Sequence, residues 1–574
     1  MRLCFYHLKD GKKMSGIVIM VFAIVVLVAG YVFYGKWLCK KWGVDPNKKT
    51  PAYEMQDGVD YVPTDKQVVF GHQFASIAGA GPINGPIQAA VFGWVPVLLW
   101  CLIGGIFIGA VQDFSSMFAS VRNKGRSIGV IIELYVGKVG KRLFLLFVYL
   151  FSMLVIAAFA DIVAKSFGVA ATATESVQLA NSQVATVSTL FIFVAVAFGI
   201  FLKNVKPNTA VNTVVSIVLL IACIAIGYLC PVLKFSTSAW LYLVFLYILI
   251  ASVTPVQYLL QPRDYLNSYL LVAMIVAAVI GIFVSNPTMN LPAFTGFTAA
   301  SGSMFPILFV TVACGAVSGF HSLVSSETAS KQVKNEKDML PISYGAMLVE
   351  VLLAVIAIIA AGAVADAVSG QLPAGNTPQQ IFSTAVSSFL AGIGIPSQLS
   401  FTLISLAVSA FALTSLDSVA RVGRLSWQEL FLDSDEDEEA MPTWKKILTN
   451  KWVATIIVLI PSYLLGQVGY AEIWALFGSA NQLLSVLSLA AVAVFLKKTK
   501  KDNKMMFIPM FFMLAVTVVA LIQLAWGNIK NFGKASISVM GQSLQIVFAV
   551  LLLALAIIVV VNCCKKLFGK EEKN

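Results

Sequence analysis

Apolar stretches of membrane-spanning length recur along the whole chain, and they constrain the fold more than any other feature. Each stretch of about 20 residues can cross the hydrocarbon core of a bilayer as one helix. The chain of 574 residues is 59% hydrophobic and only 12% charged, too little charge to cover a soluble surface. We therefore predict an all-α polytopic membrane protein whose main partner is the lipid bilayer. Hydropathy windows predict about 15 spans, near residues 15–36, 69–92, 94–119, 142–165, 184–203, 210–231, 238–260, 265–285, 304–325, 341–364, 397–418, 452–468, 473–496, 505–526 and 541–562.

Short basic runs separate the spans and predict their orientation. Lys and Arg outnumber Asp and Glu by 40 to 28, and the basic runs at 122–126 and 497–504 lie directly beside apolar stretches. This pattern indicates anchoring at the cytoplasmic face and not a nucleic-acid surface. The alternation places the C-terminus in the cytoplasm and the N-terminus outside. An acidic run at 433–440 is interpreted as a solvated cytoplasmic loop.

The second span begins with a segment that membrane helices do not normally contain. Residues 71–86 read GHQFASIAGAGPINGP. Proline removes a backbone donor and glycine weakens a helix, and lipid cannot satisfy the freed backbone groups. We expect the helix to unwind against protein or water, so that its amides hold a carboxylate. The alternative is a tight helix crossing that uses glycine for close packing. The predicted substrate-binding residues here are Gly79, Gly81, Pro82, Asn84 and Gly85.

A second interruption is predicted in the seventh span, where residues 251–266 read ASVTPVQYLLQPRDYL. Ser252, Thr254 and Gln257 are predicted to orient the substrate, although a simple proline kink is the alternative. The second and seventh spans run in opposite directions, which is typical of inverted-repeat transporters with broken helices. The predicted organisation is an N-terminal helix with a basic loop (1–50), a first repeat (51–232), a second repeat (233–430), an acidic loop (431–450) and peripheral helices (451–574).

The ninth span combines small residues with polar ones. Gly315 and Gly319 form a G-x-x-x-G face that permits close approach of another helix. Helix packing alone explains these glycines but not a histidine flanked by serines. We therefore predict that Ser318, His321 and Ser322 serve an ion or proton site opposite the second span.

Ionisable residues within membrane spans are costly and usually functional. Besides His321, the candidates for ion or proton coupling are His72, Asp161 and Glu350. A buried carboxylate or histidine suits a proton carrier, whereas hydroxyl and carbonyl oxygens suit Na⁺. Two further carboxylates near the cytoplasmic ends, Asp113 and Asp417, are expected to pair with Arg122, Arg421 or Arg424.

Several polar strings, spread from Asp57 to Leu484, resemble the carbon starvation protein A family. The resemblance implies uptake of peptides and, in some members, pyruvate, and location in a bacterial plasma membrane. The family is similar to the amino acid–polyamine–organocation transporters, which implies a leucine-transporter-like core of five plus five helices. The matching strings are DGVDYVPTDKQVVFGHQFASIAGAGPINGP, AVQDFSSMFASVRNKGRSIG, PRDYLNSYL, ACGAVSGFHSLVSSETASK, SYGAMLVE, LTSLDSVARVGR and LFGSANQLL.

The predicted function is import of small carboxylates or peptides by alternating access, coupled to H⁺ or Na⁺. No other cofactor, no metal and no nucleic-acid partner is expected, and the oligomeric state is left open. An enzyme is not favoured, since the sequence shows neither H-E-x-x-H nor a G-x-S-x-G turn on a predicted strand. A channel would need a lined filter, which the sequence does not show. A nutrient sensor that signals through the acidic loop is the other alternative.

Overall fold

The computed structural model describes residues 13–57, 60–169, 174–205, 209–255, 259–299, 301–432, 441–534 and 538–569. Almost all of this chain is helical, and a two-stranded hairpin, Thr298–Ala299 with Gly302–Ser303, is its one small sheet. The main helices in chain order are α1 (Gly16–Trp42), α2 (Lys66–Ile77), α3 (Gly81–Ala89), α4 (Trp94–Arg122), α5 (Ile128–Tyr135), α6 (Lys138–Phe167), α7 (Glu175–Val205), α8 (Thr209–Leu229), α9 (Thr237–Val253), α10 (Leu260–Ser285), α11 (Met304–Val312), α12 (Phe320–Glu327), α13 (Glu336–Val364), α14 (Pro378–Ala391), α15 (Ser397–Phe431), α16 (Thr443–Thr449), α17 (Lys451–Gly466), α18 (Tyr470–Lys498), α19 (Phe507–Lys530) and α20 (Val539–Phe568).

The predicted all-α polytopic fold with discontinuous helices is confirmed. Within the described residues, 12 helical segments are long and apolar enough to cross a membrane, or up to 13 if α16 and α17, bent by 60°, form one span. The expected count of about 15 spans is not confirmed. Two apolar windows of the sequence differ in the structure: one is divided into α2 and α3, and α9 has only 17 residues.

The first predicted break lies between α2 and α3. Ala78 adopts φ −74° and ψ 68°, and the N–H of Gly79 donates to the carbonyl of Ile77 at 2.7 Å, as in an inverse γ-turn. Pro82 lies in the first turn of α3, where a missing N–H breaks no helical bond. The unwound part is therefore shorter than expected, because residues 81–86 are helical.

The second break lies between α11 and α12, in the ninth predicted span. Ala313 has a positive φ of 46°, residues Ala313–Gly315 form a single 3₁₀ turn, and α-helical geometry resumes at Phe320. The prediction of a break within the seventh span is wrong. α9 ends at Val253 and the separate helix α10 begins at Leu260, so Pro255 lies in the connection between two helices.

The same order of elements occurs twice along the chain. A broken helix, a long helix, a short helix and another long helix form α2 to α6, and the same series forms α11 to α15. Packing follows the same pattern: α10 contacts α2, α14 and α15, while α18 contacts α11, α5 and α6. The division at residues 232 and 233 stays a prediction, and this order favours repeats that begin at the broken helices.

The remaining helices differ in how deeply they are buried. The apolar window of α18 is 100% buried within the protein, whereas that of α8 is 22% buried. α18 is thus a central element, while α7, α8, α19 and α20 present apolar side chains to lipid, among them Leu229 and Ile508.

The start of α1 is bonded to the loop that precedes α11. The N–H of Gly16 donates to the carbonyl of Pro287 at 2.7 Å, and the N–H of Met289 donates to that of Met14 at 2.9 Å. The two short segments therefore pair in an antiparallel manner. This pairing fixes the start of α1 to the loop between α10 and α11, on the predicted outer side.

Candidate functional site

The two breaks lie against each other, and glycine permits this approach. A Cβ on Gly81 would lie 2.8 Å from Sγ of Cys314, and a Cβ on Gly85 would lie 2.7 Å from the carbonyl oxygen of Thr311. Both distances are shorter than ordinary nonbonded contacts, so a side chain at either position would push the broken helices apart. Two of the predicted glycines of the second span, Gly81 and Gly85, thus face the ninth span.

Buried polar atoms around the first break have no hydrogen-bond partner within the described residues. Asn84 of α3 is fully buried, and neither Oδ1 nor Nδ2 is bonded. Oγ of Ser415 in α15 is also unpaired, and it would lie 2.7 Å from a Cβ on Gly79. An unsatisfied buried polar group costs about 1–3 kcal/mol. These groups therefore favour a polar ligand at the break.

A histidine lies between two carboxylates directly after the second break. Nδ1 of His321 is 3.1 Å from Oδ2 of Asp113 in α4, and Nε2 is 3.4 Å from Oε2 of Glu350 in α13. All three residues are 0% exposed. We call this group the histidine–carboxylate triad. One imidazolium neutralises one carboxylate, so a charged second carboxylate would leave an expensive net charge in the interior. The triad is therefore suited to take up a proton.

The structure corrects the expected pairing of Asp113 and Asp417. Arg122 binds Glu336 at 2.7 Å and does not bind Asp113. Asp417 in α15 faces the guanidinium of Arg263 in α10, so the expected arginine partners are wrong here as well.

Ser318 and Ser322 lie beside His321 in the chain but bond to α18. Oγ of Ser322 is 2.6 Å from Oγ of Ser488. Oγ of Ser318 is 3.2 Å from Oδ1 of Asn481. Their assignment to an ion or proton site stays a prediction, and both hydroxyls already have partners.

Asp161 and His72 do not join the triad. Oδ2 of Asp161 pairs with Nζ of Lys165 at 2.8 Å and accepts a hydrogen bond from the N–H of Tyr470 at 2.7 Å. This carboxylate therefore stabilises the positively polarised start of α18. His72 lies in α2, and its Nε2 is buried without a partner among the described residues.

The residues predicted around Pro255 have different surroundings from those of the first break. Oγ of Ser252 is 3.4 Å from Oγ1 of Thr455 in α17. The hydroxyl of Thr254 donates to its own helix at Ile250. Gln257 lies outside the described residues. Their role in substrate binding stays a prediction.

Sequence reasoning missed Asp113 and Ser415 as members of the site, and it missed the contact of Asn481 with the second break. Asp113 was assigned to a cytoplasmic end, although 18 apolar or small positions of α4 precede it. Ser415 lies in LTSLDSVARVGR and Asn481 in LFGSANQLL, two strings that contain polar residues at membrane depth. That polarity was the available signal.

Comparison with known proteins identifies relatives along most of the chain. The model of the family "Carbon starvation protein CstA" matches residues 15–377 and 364–520. The peptide transporter CstA of Escherichia coli is 31% identical, over 93% of this chain and 85% of that protein. The pyruvate/proton symporter BtsT of the same organism is 32% identical, over 87% of this chain and 80% of that protein. The peptide transporter CstA of Bacillus subtilis is 30% identical, over 96% of this chain and 97% of that protein.

Similarity to solved structures is weaker. The Eremococcus coleocola manganese transporter with an aromatic bis-isothiourea compound is 11% identical, covers 89% of this chain and 99% of its own, and has a TM-score of 0.49. MhsT in complex with L-phenylalanine is 14% identical and has a TM-score of 0.44. The alignment covers 88% of this chain and 99% of that protein.

Broken helices that meet inside a membrane protein are typical of secondary transporters, and the protein is assigned to that class. The family model and the relatives above 30% identity specify it further: the chain belongs to the carbon starvation protein CstA family. Its curated relatives are named as transporters, so the prediction that it is not an enzyme is confirmed.

Proposed function

We propose that the protein imports peptides or pyruvate-like carboxylates together with protons. The observation that carries this proposal is the position of His321 between Asp113 and Glu350, at the start of the inner half of a broken helix. Relatives are named as a peptide transporter and as a pyruvate/proton symporter. Both kinds of substrate present a carboxylate.

The first break is the proposed carboxylate site. The start of α3 carries the partial positive charge of a helix N-terminus, which favours an anion. Gly79, Gly81 and Gly85 let the break pack closely against its neighbours. Pro82 orients the first turn. Asn84 offers an amide whose donors and acceptor are unused within the described residues. Together these groups recognise a small anion and a neighbouring polar group.

The triad is the proposed proton site. Both oxygens of Glu350 lack a hydrogen-bond partner within the described residues, although the residue is fully buried. A carboxyl group in this position gains from protonation, because the proton removes the uncompensated charge. Cys314 contacts the first break, and His321 follows the second break. The proposed carboxylate site therefore lies next to the proposed proton site.

We infer a revised organisation for alternating access. The two repeats would begin at the broken helices α2–α3 and α11–α12, with α7–α8 as an inserted hairpin. Rocking of the broken helices and their neighbours against α6 and α15 would open the site alternately to each side. We also propose that the C-terminus lies in the cytoplasm and the N-terminus outside, in a bacterial plasma membrane. The basic runs of the sequence support this orientation.

Uptake into proteoliposomes tests this function. Labelled pyruvate and a labelled dipeptide are supplied with an inward H⁺ gradient or an inward Na⁺ gradient, each imposed separately. We expect saturable uptake of at least one substrate under the H⁺ gradient alone. Uptake driven by the Na⁺ gradient alone would reject the proton site, and no saturable uptake of either substrate would reject the proposed substrates.

A further inference from the structure

The string LFGSANQLL, residues 476–484, lies on the most buried helix and faces the second break. Gly478 and Gly319 permit this contact: a Cβ on Gly319 would lie 2.5 Å from the backbone nitrogen of Ser485. Backbone therefore lies against backbone at this point. The string has no role in the proposed carboxylate or proton site.

Side chains of α18 bond to the end of the outer half-helix, α11. The last carbonyls of a helix have no partner within the helix. Nε1 of Trp474 donates to the carbonyl of Thr311 at 3.0 Å, and Nε2 of Gln482 donates to that of Phe309 at 2.6 Å. α18 therefore satisfies the carbonyls that the break exposes.

Asn481 bonds to the other side of the same break. Its Oδ1 accepts from the N–H of Phe320, the first residue of α12, at 3.1 Å. Its Nδ2 lies 3.2 Å from Sγ of Cys314 and 3.1 Å from Oγ of Ser318. Its backbone carbonyl accepts from the N–H of Gly319 at 2.9 Å. One asparagine thus bonds to both ends of the unwound segment 313–319.

Only an amide of this length supplies the observed set of bonds. Asparagine offers two donors and one acceptor oxygen. Aspartate would keep the bond from Phe320 but lose both donors, and alanine would lose all side-chain bonds.

We propose that Asn481 is a positioning residue that holds the unwound segment of the second broken helix in the geometry required for substrate binding. The functional part rests on the proposed function, since Cys314 of this segment touches Gly81 at the carboxylate site. Without the side chain of Asn481 the segment loses its bonds to that amide and keeps only the backbone bond from Gly319 to residue 481. The segment then moves more readily, and the substrate must order it on binding.

The first measurement needs no substrate. Alkylation of Cys314 by N-ethylmaleimide is followed by peptide mass spectrometry in the full-length protein, with the fully buried Cys101 as internal reference. We expect Asn481→Ala to raise the alkylation rate of Cys314 by about tenfold, because the hydrogen bonds of the asparagine side chain no longer hold the segment in place. The alkylation rate of Cys101 should stay unchanged. An unchanged rate at Cys314 would overturn the proposal.

The second measurement is the KM for pyruvate or dipeptide uptake. We expect Asn481→Ala to raise KM by about tenfold, and Asn481→Asp to give an intermediate value because it keeps the bond from Phe320. The matched control is Asn528→Ala in α19, which removes a buried asparagine bonded to Gln545 at 3.0 Å and should leave KM unchanged. A loss of maximal rate with KM unchanged would overturn the positioning role.

A second variant and a measurement without substrate distinguish failure of the Asn481 proposal from failure of the proposed function. If Asn481→Ala does not reach the membrane, Asn481→Asp decides, and wild-type rates of Cys314 alkylation in that variant would contradict the proposal. If the wild-type protein transports neither substrate, the proposed function fails. Alkylation of Cys314 then still decides whether Asn481 holds the segment.

Discussion

Nδ1 of His321 lies 3.1 Å from Oδ2 of Asp113, although 208 positions separate the two residues in the chain. The pair is completely buried, and Glu350 lies on the other side of the imidazole. Three different helices thus supply one group each, and α4 is distant in sequence from α12 and α13. This convergence distinguishes a candidate coupling site from a lone buried histidine.

Replacement of Asp113 by asparagine should uncouple transport from the proton gradient. Loss of one partner of a buried ion pair costs about 3–5 kcal/mol, so protonation of the imidazole becomes less favourable. We expect uptake driven by a pH gradient to fall by at least about tenfold, while substrate exchange at equal pH is retained. Both rates are measured in proteoliposomes. Equal loss of exchange and of driven uptake would contradict a coupling role.

Asp366 provides a matched control in an exposed loop. Hydrogen bonds from the backbone N–H and hydroxyl of Ser369, and from the N–H of Val368, hold the pKa of this carboxyl below its usual range. Its contribution to stability is present above the unfolded value of about 3.9 and is lost as pH falls through the lower folded pKa. Asp366 is therefore charged throughout the range from about pH 5 to 8, and Asp366→Asn should leave the pH profile of uptake unchanged.

Gly81→Leu should abolish uptake without preventing membrane insertion. The Cβ of the new side chain would lie 2.8 Å from Sγ of Cys314. Leucine at this position would therefore push the two breaks apart. The control is Gly527→Leu in α19, because no atom lies within 4 Å of a Cβ at that position. Uptake is compared at equal amounts of protein in the membrane. Normal uptake by Gly81→Leu would remove the first break from the substrate site.

Asp161→Asn should lower stability and leave the pH profile of uptake unchanged. The side chain of Lys165 is 40% exposed, so the lost pair is worth only about 0–1 kcal/mol. Asparagine can still accept from the N–H of Tyr470. We expect a decrease in Tm of at most about 1 °C, measured by thermal unfolding in detergent. A flattened pH profile would instead support the predicted coupling role of Asp161.

Asp417→Asn should destabilise the protein far more. Arg263 is 1% exposed and faces Asp417, and Oδ1 of Asp264 lies 3.5 Å from its other terminal nitrogen. Neutralising Asp417 therefore removes the closer of the two carboxylates that compensate a buried cation. The expected loss is about 3–5 kcal/mol. The double variant Arg263→Gln with Asp417→Asn should recover part of it. Additive losses in the double variant, measured by thermal unfolding, would show that the two residues act independently.

The first break could be predicted from sequence because its signal is local. Gly79, Gly81 and Pro82 disfavour a continuous helix whatever surrounds them. The second break has no proline, and its glycines also suit helix packing. Pro255 and Pro262 gave a stronger signal for a broken helix. This signal was misleading, because proline is also frequent near the ends of intact helices.

The triad could be predicted only in part. His321 and Glu350 were recognised because each is ionisable within an apolar span. Their pairing, and the membership of Asp113, depend on how α4, α12 and α13 pack, which one sequence does not specify. The hydrogen-bond partners of Asn481 could not be predicted for the same reason.

The backbone pairing of Met14 and Gly16 with Pro287 and Met289 has a practical consequence for labelling the protein. A Cβ on Gly16 would lie 2.9 Å from Cγ of Pro287, so even an alanine there would disturb the loop leading to α11. Fluorophores or affinity tags joined close to Met14 would strain that loop in the same way. Probes of transport are better attached to the lipid-facing end of α19, where Gly527 has free space around it.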